Sequence, residues 1–184
     1  MANPEIIGLL CAGSVRYHEP LGSGSAAGQL SRSELAGLLS GLSGVAMHLA
    51  LAKYAGDVDA ERSLISHVRQ WAAGVAVREQ WEIVRGRPTV VNMAALAVFE
   101  VVRPNVCTRC NGVGFERNKP CRCCDGSGVK ALSGLFIANA LKIPETSYRR
   151  KWEQRYEVCY RYVVDLESEV NHRLSVADKE LINA

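Results

Sequence analysis

The pattern C-x-x-C-x-G-x-G occurs twice, at Cys107–Gly114 and at Cys121–Gly128, and constrains the chain more than any other feature. Two residues between cysteines let both thiolates reach one metal ion while the backbone turns tightly. Two such turns supply four sulfurs, the usual closed tetrahedral set for structural zinc at ~2.3 Å. Chain leaving each turn must reverse, which glycine does at positive φ without steric cost. The ten residues between Cys110 and Cys121 suffice for a loop or short hairpin that closes the site. The expectation is one structural Zn2+ on Cys107, Cys110, Cys121 and Cys124, with no open position for catalysis. The competing readings are free thiols or a redox pair, but a redox C-x-x-C belongs in a βαβ context that this chain lacks. Cys123 lies inside the second pair; Cys121 and Cys124 preserve the spacing of the first pair, so Cys123 reads as the spare. Cys11 and Cys159 stand alone and read as ordinary thiols, Cys159 on a helix face.

The rest of the chain is ordinary for a globular protein, with 184 residues, 48% hydrophobic and 22% charged. That length makes one domain or a close pair, burying roughly 70% of the surface of the unfolded chain. The longest apolar stretch, Gly44–Ala52, is interrupted by His48 and ended by Lys53, short of the ~18–20 residues of a membrane span. The first residues lack the basic start of a secretory signal, so a cytoplasmic protein is expected, in which clustered cysteines read as a metal site rather than disulfides. Charge is unevenly spread. Residues 103–162 carry 12 lysines and arginines against 5 acids, net +7, whereas residues 1–102 sum to −1 and residues 163–184 to −3. One contiguous basic third points to a polyanion, most simply nucleic acid; the plain alternative is a solvated basic face.

The fold class is mainly α: a helical bundle with an inserted zinc-knuckle module, followed by a helix–turn–helix-like pair. Residues 1–30 read as a flexible segment with a short helix near Ile6–Leu10. Residues 31–102 read as the bundle. Ser31 and Glu34 form a capping box, opening a helix to about Tyr54 on the apolar face of Leu35, Leu38, Leu42, Val45 and Leu49. Asp57 and Asp59 cap a second helix, Ala60 to Arg85, which Gly74 can bend and Gly86–Pro88 ends. Thr89 caps a third, Val90 to Val102, apolar nearly all round and so buried. The zinc module spans 103–130, the helical pair 131–174, and an acidic tail 175–184.

The pair has a particular rhythm. A helix from Ala131 to Leu141 carries Ala138 and Leu141 for packing, a turn follows at Lys142-Ile143-Pro144, and a Thr146-capped helix opens with polar and basic residues. That is the pattern of a helix–turn–helix, whose second helix offers its first residues to the major groove. Lys142 stands about where the turn glycine is usual. The expected DNA contacts are Thr146, Ser147, Tyr148, Arg149, Arg150, Lys151 and Arg155 on the helix, with Arg109, Arg117, Lys119 and Arg122 as phosphate anchors. Trp152, Tyr156, Cys159, Tyr160 and Val163 recur at helical spacing and read as core. The four histidines lie in unrelated segments, and no nucleophile elbow or phosphate-binding glycine loop is present, so no enzyme is expected.

With its two C-x-x-C-x-G-x-G turns and the helical pair behind them, the chain resembles the late-gene antitermination protein Q family of lambda-like bacteriophages, most clearly from Thr89 to Val170. The short segment between the cysteine pairs and the extra Cys123 depart from that pattern. The resemblance implies a protein that binds double-stranded DNA at a late promoter element and loads onto host RNA polymerase holding its primary sigma factor at a pause. It then promotes terminator readthrough, aided by a NusA-type factor. It also implies that part of residues 31–102 touches polymerase or a second copy of the chain. The alternatives are a zinc-containing DNA-binding repressor without polymerase loading, and a DnaJ-type chaperone module. The latter normally has four such cysteine motifs and a His-Pro-Asp signature, which this chain lacks.

Overall fold

In the computed structural model of the protein, the described residues are 39–82 and 89–182. The segment 1–30, the capping box at Ser31–Glu34, Cys11 and the break at Gly86–Pro88 lie outside them. In chain order the elements are α1 (Gly44–Tyr54), α2 (Val58–Arg78), α3 (Thr89–Val102), β1 (Asn105–Val106), β2 (Phe115–Glu116), β3 (Lys119–Pro120), β4 (Val129–Lys130), α4 (Gly134–Ala140), the short α5 (Glu145–Ser147), a π turn (Tyr148–Trp152) and α6 (Glu153–Ile182). The described residues are thus mostly helical. The chain divides into two compact units, residues 1–64 with 164–184, and residues 65–163.

In the first unit, the single helix expected over residues 31–54 is interrupted. Gly41 sits at φ +88°, and Ser43 takes an extended conformation in which its hydroxyl accepts from the Ala46 N–H at 3.2 Å. A residue at positive φ followed by a serine cap breaks the helical path and starts α1 at Gly44. The same Ser43 donates its backbone N–H and its hydroxyl to Glu169 of α6, at 2.7 and 3.2 Å. Lys53 pairs with Glu167, Tyr54 donates to Asn171, and Arg173 donates to the Ser40 carbonyl. These links lay α1 along α6, with Leu49, Leu166, Val170 and Leu174 buried. Asp57 caps α2 as expected, accepting from the Asp59 and Ala60 N–H groups, while Asp59 pairs with Arg62 instead. Beyond Leu174, where the sequence suggested a tail, α6 continues to Ile182.

The second unit holds two helix ends of one kind. The second helix was expected to reach Arg85, yet α2 stops at Arg78. Trp81 N–H bonds back to the Ala76 carbonyl and Gln80 N–H to Val77, with Gln80 at φ +51°. At the end of α4, Ile143 N–H reaches Ala138 and Lys142 N–H reaches Asn139, with Lys142 at φ +55°. Both are Schellman closures with a left-handed residue that is usually glycine. The next helix starts at Glu145 behind Pro144, with no side-chain cap, so Thr146 does not cap it. Its second turn is a π turn closed by Glu153 N–H to the Tyr148 carbonyl. α3 begins at Thr89 and buries one face through Met93, Ala97, Val98 and Val101. It is not buried all round: Val91 and Phe99 are each 40% exposed.

Glu100, the one acid of α3, is 8% exposed. Its carboxylate accepts from the Leu132 N–H at 2.7 Å and from the Tyr156 hydroxyl at 2.5 Å. A buried carboxylate is tolerated when such donors replace water. It ties α3 to the chain entering α4 and to α6. Burial first, then the bond to Glu100, pushes the Tyr156 phenol far above its usual range. Trp71 stacks on Tyr162 at 3.9 Å, and His67 Nε2 lies 3.2 Å from the same hydroxyl.

Candidate metal centre and basic surface

The two cysteine motifs fold as copies displaced by fourteen residues. Asn111 and Asp125 have φ of +50° and +48°, Gly112 and Gly126 +84° and +86°, and Gly114 and Gly128 +81° and +78°. In each copy the last glycine donates its N–H to the second cysteine, Gly114 to Cys110 Sγ and Gly128 to Cys124 Sγ, both at 3.3 Å. The copies also lock to each other. Cys107 N–H bonds to the Gly128 carbonyl at 2.9 Å and Cys121 N–H to the Gly114 carbonyl at 2.8 Å. Two of these glycines are fixed by contact as well as by torsion. A Cβ on Gly114 would lie 2.3 Å from the Gly126 carbonyl oxygen, and one on Gly128 would lie 2.2 Å from that of Gly112. Antiparallel β1 and β4 close the base of the module, and β2 and β3 form a hairpin between the cysteine pairs. The hairpin turns at Arg117 and Asn118, both at positive φ, as a two-residue primed turn requires.

This arrangement brings together Cys107, Cys110, Cys121 and Cys124, all buried, with their sulfurs within 4.8 Å of one another. None is in a disulfide. Four convergent thiols form a site that can hold a metal ion. The Cys110 N–H, aided by that of Arg109, favours the Cys107 thiolate and holds its pKa below the ordinary thiol value. At Cys121 the Cys123 N–H acts in the same direction, but burial and the bonds to Cys124 and Cys110 outweigh it and hold the thiol up. Cys123 is exposed and stands outside the four, and its side chain holds the pKa of the neighbouring Lys130 up.

Arg109, Arg117, Lys119 and Arg122, the expected phosphate anchors, line one open groove on the hairpin face, together with Glu116 and Pro120. Arg109 pairs with Glu116 at 2.7 Å. Among the described residues, Arg117, Lys119 and Arg122 have no carboxylate partner.

The residues singled out on the helix do not share one surface. Thr146, Arg149 and Arg150 are exposed, and Ser147 is half-buried. Arg149 pairs with Glu145 one turn back, and Lys151 with Glu82, each at 2.7 Å. Tyr148, expected at the DNA, is instead 3% exposed, its ring packed against Gly134. The π turn keeps Tyr148 in register with buried Trp152 and Tyr156, so it faces the core. Arg155 is half-buried over the Trp81 and Trp152 rings, 5.6 and 4.8 Å from their centres, and its Nη1 is buried without a hydrogen-bond partner among the described residues. With Arg150 and Lys151 it lines a second cleft beside Glu79 and Glu82. Sequence reasoning missed Glu100 and the acidic partners of these cations. A lone carboxylate inside an apolar helix was the available signal for the first, whereas the Lys151–Glu82 pair, 69 residues apart, had none.

Among the described residues, no helix is long and apolar enough to cross a membrane. No protein-family model and no curated protein sequence matches the chain.

Proposed function

We propose that the chain is a cytoplasmic DNA-binding transcription factor whose four-cysteine site holds one structural zinc ion. In its fullest form it acts as an antitermination factor on RNA polymerase. The observation that carries the reading is the groove of Arg109, Arg117, Lys119 and Arg122, built directly on the backbone turns that present the four sulfurs. Four sulfurs at C-x-x-C spacing suit zinc, which takes tetrahedral thiolate sets and supplies folding energy. When bound, the metal neutralises thiolate charge and crosslinks the two turns. The Gly114 and Gly128 N–H groups and the Lys130 ammonium then stabilise the remaining negative charge.

On this reading the hairpin cations neutralise phosphates, while Arg149 and Arg150, exposed at the start of the long helix, reach base edges as in a helix–turn–helix. The left-handed turn at Lys142 supports that geometry. Lys151 and Arg155 lie in the cleft beside Glu79 and Glu82 and serve the frame more than the DNA. The protein carries no turnover chemistry of its own; it changes what polymerase does. The step from DNA binding to polymerase loading rests on the family resemblance and on the near-neutral first 102 residues, which suit protein contacts better than phosphates.

The test is a transcription assay with purified polymerase, its primary sigma factor and a terminator placed downstream of the cognate element. Added protein should raise full-length transcript, and scrambling the element should abolish the effect. Repression without readthrough would instead identify a DNA-binding repressor.

A further inference from the structure

The cleft beside Glu79 and Glu82 lies within the second unit and has a volume of about 460 Å³. Its charged lining divides into groups already bonded and groups left over. Glu79 accepts from the Trp81 indole N–H at 2.8 Å, and Glu82 accepts from Lys151 at 2.7 Å. Arg155 donates no hydrogen bond to any described residue, and Arg150 has no carboxylate partner among them. The bond from Lys151 and its charge, and then the charge of Arg155, hold the Glu82 pKa below its usual value, yet no hydrogen bond joins Arg155 to it.

A guanidinium carries five N–H donors in one plane. That of Arg155 lies over the rings of Trp152 and Trp81. A ring face attracts the cation but gives the N–H groups of its edge no lone pair to bond. Among the described residues, Arg155 Nη1 is the one side-chain nitrogen or oxygen that is buried with no partner. Burying such a donor costs free energy, which an incoming acceptor recovers. The unsatisfied buried atom and the cleft therefore coincide on one residue.

We infer that this cleft receives the carboxylate of an aspartate or glutamate side chain from a partner protein, held on the Arg155 guanidinium with the exposed Arg150 beside it. A planar carboxylate takes two N–H donors from a guanidinium edge at once. A DNA strand brings a row of phosphates, whose neighbouring charges meet Glu79 and Glu82 in the same cleft. A lone carboxylate brings one charge. A free small molecule fits less well, because such sites are lined mostly by apolar side chains, and here only Trp81 and Val158 among the described lining residues are apolar. A side chain carried on a protein surface needs no such enclosure, since contacts elsewhere hold its carrier. The site serves a protein and not the DNA of the preceding reading, so it stands or falls separately from it.

The test uses the full chain labelled at its tryptophan indoles, followed by NMR without DNA while the peptide acetyl-Ala-Ala-Glu-Ala-Ala-amide is added. Saturable shifts are expected at Trp81 and Trp152 and not at Trp71, which stacks on Tyr162 and lines no part of the cleft. The same peptide with glutamine in place of glutamate should not saturate. Arg155→Lys keeps the charge but loses the planar pair of donors, and should weaken the response severalfold. Glu82→Gln, an exposed substitution, removes a repelling charge and frees Lys151, and should tighten binding. Absence of saturation, an equal response to the glutamine peptide, or unchanged affinity in either variant would overturn the proposal. Tighter saturation by succinate than by the peptide would overturn it in favour of a free acid, and by inorganic phosphate in favour of a phosphate group.

Discussion

Around the cysteine pairs, residues 105–130 bury almost nothing but sulfur. Val113 is 70% exposed and Phe115 56%, and the four thiols form a buried cluster of their own. At the opening of the long helix the opposite holds. Tyr148, Trp152, Tyr156, Cys159 and Val163 are buried at helical spacing, and the cations sit over or around that core. Both regions are basic, but the first depends on sulfur, glycine and backbone hydrogen bonds, and the second on apolar packing. A segment with so little apolar burial cannot offset its conformational entropy alone. It needs a crosslink, which is what a metal on four thiolates provides.

The largest effect expected from this contrast comes from the ligands. Cys121→Ser should abolish stoichiometric zinc binding and unfold residues 105–130, while Cys123→Ser should leave both unchanged; metal analysis and circular dichroism check this. Equal damage from the two would show that the ligand set is misassigned. Gly114→Ala comes next. Its Cβ meets the Gly126 carbonyl, so the two turns must separate. Zinc affinity should fall and DNA binding with it, while the helical melting transition moves little. Loss of helix stability in that variant would break the contrast. On the packed side, Glu100→Ala leaves the Leu132 N–H and the Tyr156 hydroxyl without their acceptor and should cost ~1–3 kcal/mol in a denaturant titration.

The packed region has a pH effect of its own. Burial raises the Cys159 pKa from 9.0 to about 12. The folded state therefore holds this proton at pH values where the unfolded chain has released it, and stability falls as pH rises. The stability contributed by Cys159 should be intact below about pH 9 and lost between pH 9 and 12. Cys159→Ala should flatten that part of the profile measured by urea melts. The smallest effect expected is from Lys142→Gly. It relieves a left-handed residue at the end of α4 and should stabilise by up to ~1 kcal/mol.

The same contrast explains what could be read from the chain. The cysteine cluster was legible, because its spacing is its geometry: the convergence of four thiols without Cys123 follows from a repeat, while the segment between the pairs, open as a loop or a hairpin, folds as a hairpin. Helix starts at Asp57 and Thr89 were legible through local polar residues. The ends at Gln80 and Lys142 were not, since left-handed closures are usually marked by glycine and neither position has one. The break at Ser40–Ser43 was masked by leucines that continue the helical period on both sides. The burial of Tyr148 continues the four-residue step of Trp152 and Tyr156, and only the polar and basic residues around it obscured that. The pairing of Lys151 with Glu82 and the stacking of Arg155 on two tryptophans are long-range contacts, so a run of cations that looked like one interface is divided between solvent and frame.

Hydrogen exchange on the full chain, with and without a zinc chelator, tests most directly whether a bound metal alone holds the cysteine module. Chelation should remove amide protection across residues 105–130, including the Cys107 and Cys121 N–H groups, while residues 153–163 keep theirs. Unchanged protection in the cysteine module, or its loss from both segments together, would contradict the account.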